Sequence, residues 1–121
     1  VIIGKYPGLV DAAVLGAGPC NVPQWRLLRR GRNSWRRSLS PHDFIADVPK
    51  ETRVTALTGS KDKNTKSVIA KTYIDRLKSN GLAATFFEVP GKSHNSIVKS
   101  DKYETAVRQF LEERPRPNRG D

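Results

Sequence analysis

Asp62 and His94 are the residues whose types and spacing could do chemistry together. Asp62 stands four residues past an apolar, β-branched run in "RVTALTGSKD", and His94 five residues past a second run in "AATFFEVPGKSH". A carboxylate bonded to one imidazole nitrogen fixes the tautomer and stabilises the imidazolium, leaving the other nitrogen to act as a base. Acids are scarce in this chain, 12 Asp and Glu against 22 Lys and Arg, so an acid at the mouth of a strand asks for a reason. Orienting His94 is the reason expected here.

The rivals fit less well. Asp75 and Asp101 fall within helical patterns, and Asp47 precedes its strand, so it faces the opposite edge of a sheet. His42, in "SPHDF", reads as a structural residue or as the lining of a cleft. Cys20 reads as a small, partly buried residue, in keeping with how often a free cysteine is buried. Nothing near it resembles an activating base. "GKSHN" nearly matches G-x-S-x-G, but Asn95 replaces the last glycine and no later histidine could serve Ser93.

The elements that must position Asp62 and His94 can be read from periodicity. Short apolar runs at 10–17, 53–58 and 83–89 read as strands, their near-continuous apolar character suiting strands covered on both faces. A helix is predicted near 66–79, with Ile69, Ala70, Tyr73, Ile74 and Leu77 on one stripe and Asn80-Gly81 as its stop. A second is predicted near 101–113, with Tyr103, Ala106, Val107, Phe110 and Leu111 on one face. Ser100 and Asp101 suit its N-terminus, and Pro115 helps end it. Residues 20–50, rich in proline and arginine, read as an irregular excursion with short helices, the second near "PHDFIADV". Strands alternating with helices imply an α/β fold with a parallel sheet. In such a sheet the loops after the strands share one edge, where ligands and reacting groups gather. Adjacent strands stand about 4.8 Å apart, so an Asp and a His on neighbouring loops can meet.

At this point the residues carry a resemblance. "VTALTGSKDKNT", a helix, "GLAATFFEVPGKSHN" and a terminal amphipathic helix resemble the last third of an α/β-hydrolase. "VIIGKYPGLVDAAVLGAGP" is similar to the segment just past that family's nucleophile elbow. The resemblance excludes the Arg-rich excursion and the tail. It implies a partial α/β-hydrolase fold of about three parallel strands in a single partial domain. Residues 1–19 would be the end of the nucleophile helix and a strand, 20–52 an irregular insertion, 53–113 the strand-helix-strand-helix unit, and 114–121 a flexible tail. By the same resemblance Asp62 matches the catalytic acid and His94 the catalytic base of a serine hydrolase acting on ester or peptide bonds. Ser93 stands where a glycine is more usual before that histidine. The nucleophile and the oxyanion hole would lie outside the chain, which is expected to be inactive alone. Such enzymes need no cofactor, and the sequence offers no metal-ligand spacing.

Bulk properties bound the rest. At 121 residues the chain is one small domain in size, and no apolar run approaches the roughly 18 residues of a membrane span. It contains no methionine, so it is expected to be an internal piece of a longer protein. One cysteine allows no intrachain disulfide; with no visible signal segment this leans toward the cytoplasm, the compartment being otherwise open. The net charge is +10, and "RLLRRGRNSWRR" (26–37) holds six arginines. Such a stretch suits a solvated loop or a contact surface for another part of the protein. The alternative is a small basic module binding nucleic acid or another anion, for which charge is the only sign. A hydrolase-like interaction domain without catalysis is a third reading. A strand bared by the missing part of the sheet would favour self-association.

Overall fold

The computed structural model describes residues 1–32, 37 and 39–113. Arg36 and the rest of the arginine stretch beyond Arg32, Arg37 excepted, lie outside the described residues, as does the tail 114–121 with Pro115.

Three parallel strands form the sheet, β1 (Ala12–Gly16), β2 (Arg53–Gly59) and β3 (Ala84–Val89), in the order β1-β2-β3. Val14 lies opposite Thr55, and Thr55 opposite Thr85. β2, paired on both sides, is the most deeply covered strand, with Val54, Ala56, Leu57 and Thr58 all buried. Successive side chains of a strand point to opposite faces, and the two faces carry separate cores. On one, Val54, Ala56 and Ala84 pack with Ile69, Ala70, Tyr73, Ile74 and Leu77. On the other, Leu57 and Val89 pack with Ile97 and Ala106.

The first of these helices, Ser67–Ser79, uses the stripe expected from its sequence. Gly81 closes it in the left-handed region (φ +86°), and Leu82 N–H reaches back to Leu77 C=O at 3.1 Å. Glycine is favoured there because a Cβ would crowd the backbone. Leu77 is fully buried. Leu77→Ala is expected to cost about 2–5 kcal/mol, read from the shift of the urea unfolding midpoint at unchanged slope.

The last helix, Asp101–Glu112, starts where expected, Ser100 Oγ accepting from Tyr103 N–H at 3.2 Å. Its apolar face is only partly covered. Ala106 is buried, Tyr103, Val107 and Phe110 are half-buried, and Leu111 is 55% exposed. The C-terminal half stands off the sheet across a cleft lined by Thr55, Phe87, Phe110 and Glu113. Arg53 and Glu113 bridge that cleft at 2.8 Å.

In chain order the α-helices are α1 (Ile2–Lys5), α2 (Val22–Arg30), α3 (Ser67–Ser79) and α4 (Asp101–Glu112). Short 3-10 segments cover Pro41–Asp47 and Ile97–Lys99. Among its described residues the excursion holds two short helices, the first of them a regular α-helix. Asn21 Oδ1 caps it at Gln24 N–H, and Gly31 ends it in the left-handed region. No helix among the described residues is long and apolar enough to cross a membrane.

Candidate active site

The loops after β2 and β3 leave the sheet side by side. Their backbones are zipped together: Ser60 N–H donates to Val89 C=O and Lys61 N–H to Lys92 C=O, each at 2.9 Å. Gly91 N–H donates to Ser60 Oγ at 2.8 Å. Gly59, the last residue of β2, makes this approach possible, because a Cβ there would overlap the Lys92 carbonyl.

Asp62 is 6% exposed, and its carboxylate is wholly buried. Oδ1 accepts from Asn64 N–H and Thr65 N–H, both at 2.8 Å. This oxygen thus closes the turn that leads into Thr65. Oδ2 lies 2.9 Å from Thr65 Oγ1 and 3.0 Å from His94 Nδ1. A buried carboxylate must be hydrogen-bonded, and these contacts occupy both of its oxygens.

His94 presents Nδ1 to this carboxylate, and its side chain is 36% exposed. Among the described residues Nε2 has no hydrogen-bond partner. An ionised Asp62 accepts only, so the neutral ring carries its proton on Nδ1 and leaves a lone pair on Nε2. The geometry can therefore hold an imidazole as a base and stabilise it once protonated.

Three further residues shape the site, and the sequence alone does not single them out. Thr65, 3% exposed, places Oγ1 within 2.9 Å of Ala17 C=O and 3.1 Å of His94 Nδ1, besides its contact with Asp62. Ala17, just past β1, takes φ +53°. Trp25 on α2 donates through Nε1 to Asn64 C=O at 3.1 Å, tying the Arg-bearing helix to the acid's loop. The only local signal for Thr65 is the Asp-x-x-Thr spacing, which suits a side-chain oxygen receiving the N–H groups two and three residues on.

The other candidates lie elsewhere. His42 Nε2 accepts from Arg76 at 2.9 Å. Asp75 pairs with Lys71 on the surface of α3, Asp101 begins α4, and Asp47 ends a 3-10 segment ahead of β2. Ser93 is exposed, its hydroxyl 3.1 Å from Ser96 Oγ, and it sits on no strand-to-helix elbow. Cys20 is buried, and burial pushes its thiol up to about 11, so it is a poor nucleophile.

No protein-family model and no curated protein matches the sequence. Solved structures match the fold. An acylaminoacyl peptidase of Pyrococcus horikoshii superposes with TM-score 0.74 at 13% identity, covering 98% of this chain and 22% of that one. A truncated carbohydrate esterase from gut microbiota gives TM-score 0.66 at 21% identity over 86% of this chain and 42% of its own. An esterase of Pyrococcus furiosus gives 0.62 at 10% identity over 92% of this chain and 47% of its own. The chain thus spans less than half the length of each of these proteins. Its three-stranded parallel sheet with interleaved helices is part of the α/β-hydrolase fold, and resembles the portion of esterases and peptidases that lies toward their C-termini.

Proposed function

We propose that this chain carries the acid and base of a serine hydrolase acting on ester or amide bonds, the nucleophile and oxyanion hole being supplied by residues outside it. One observation carries the reading: a buried carboxylate 3.0 Å from an imidazole whose other nitrogen is unengaged among the described residues. It lies at the strand-end edge where α/β sheets gather their reacting groups.

In this mechanism His94 Nε2 takes the proton of the serine hydroxyl as its oxygen attacks the substrate carbonyl. Asp62 stabilises the resulting imidazolium and holds the ring in register. The proton then passes from Nε2 to the leaving alcohol or amine, giving the acyl-enzyme. Water, deprotonated by the same nitrogen, releases the acid. The peptidase and esterases of like fold support ester or amide bonds as the substrate class.

The test is labelling of the full-length protein with a fluorophosphonate probe. A single probe-reactive serine, lost on prior heat denaturation, is expected. An intact folded protein without one would support the non-catalytic interaction domain instead.

The isolated 121 residues should self-associate. β1 pairs only with β2 among the described residues, so its other edge presents unpaired backbone groups. Sedimentation velocity is expected to show a mass that rises with concentration. A monomer that unfolds cooperatively in urea would contradict this.

A further inference from the structure

We infer that Thr65 is a positioning residue that locks the Asp62–His94 pair to the end of β1, an inference that rests on the role proposed for that pair. Its Oγ1 has three neighbours: Ala17 C=O and Asp62 Oδ2 at 2.9 Å each, and His94 Nδ1 at 3.1 Å. A hydroxyl has one proton, and two of these neighbours only accept. The Thr65 proton therefore serves Ala17 C=O or Asp62 Oδ2, and the oxygen's remaining lone pairs face His94. The Nδ1 proton of His94 lies between two oxygens, Asp62 Oδ2 and Thr65 Oγ1. A ring protonated on Nε2 instead would set its Nδ1 lone pair against the buried carboxylate, so the arrangement selects the tautomer a base needs.

The same hydroxyl holds backbone. Ala17 is in the left-handed region, where a residue bearing a Cβ is strained. Its N–H continues the ladder to Leu57 C=O at 2.9 Å, and its C=O turns to Thr65. The chain then runs through Cys20 into α2, whose Trp25 grips Asn64 on the loop that carries Thr65. Thr65 thus joins the ends of all three strands: β1 through Ala17, β2 through its own loop, and β3 through His94.

The test uses the full-length protein and ¹H–¹⁵N NMR of the His94 ring, so it needs no turnover. In the wild type the neutral ring should be protonated on Nδ1, with slow exchange of that proton with water. T65V keeps the shape and removes the hydroxyl; exchange should quicken about fivefold, as expected for loss of one ordinary hydrogen bond, and Ala17 should leave the left-handed region. T65S should restore both. If T65V does not fold, T65V/A17G relieves the Ala17 strain and carries the same readout. Unchanged exchange and tautomer in a folded T65V, or failure of both variants to fold, would overturn the positioning role. D62N separates the two claims. A response to D62N without one to T65V removes Thr65 alone, whereas no response to D62N removes the Asp62–His94 pair itself and the positioning role with it.

Discussion

By the proposed mechanism, His94→Ala in the full-length protein is expected to lower kcat by about 10⁵- to 10⁶-fold, with KM changed little. In that mechanism the ring meets the substrate's reacting atoms only as the proton moves, so its loss would remove stabilisation made in the transition state rather than in the bound complex. Asp62→Asn should cost about 10⁴-fold. Its side chain is enclosed, with Oδ1 held by two backbone N–H groups at 2.8 Å. An amide in that place keeps its oxygen on those donors and turns its NH₂ toward His94. Nδ1 must then accept, the ring proton moves to Nε2, and the base is lost. Steady-state kinetics on a chromogenic ester, with active sites counted by the fluorophosphonate probe, measures both effects. A His94→Ala enzyme within tenfold of wild type would remove His94 from the mechanism.

Gly59→Ala is expected to do its damage through packing alone. The new methyl would overlap the Lys92 carbonyl carbon and oxygen, which are backbone atoms and cannot rotate away. Overpacking of this kind costs about 1–3 kcal/mol. The loops must part, and the contacts that part first are Lys61 N–H to Lys92 C=O and Ser60 N–H to Val89 C=O. Those bonds hold the two loops in register, so His94 should drift from Asp62. A displacement of 1 Å can cost about 10²-fold in rate. The urea unfolding midpoint and kcat of the full-length variant should fall together. Gly18→Ala is the control: a Cβ there meets nothing within 4 Å, and both measurements should hold. Loss of rate with stability unchanged would point to some other role for Gly59.

Much of this molecule can be read locally. Each strand is a short apolar run, α3 and α4 show their stripes and stops, and the order of elements implies parallel pairing. That topology puts the loops after β2 and β3 on one edge, which is why Asp62 and His94 could be named together from a single chain. The ring's contact with the carboxylate at 3.0 Å agrees with that reading. The regularity of α2 was also available, in Asn21, Pro23 and Gly31, although the arginines around them read as loop. The exposure of Leu111 was not, since a periodic stripe says which residues share a face and not how much sheet lies beneath it.

Local patterns, then, suffice for the strands, α3 and α4, their parallel order and the pairing of Asp62 with His94, because hydrophobic period and turn chemistry act over a few residues. Thr65, Ala17, Trp25 and Gly59 acquire their roles only in three dimensions. Thr65 and Ala17 are 48 positions apart along the chain, and Trp25 and Asn64 are 39 apart. Hydrogen bonds reach about 3 Å, so partners so distant in sequence meet only when the sheet has set the strand ends beside each other.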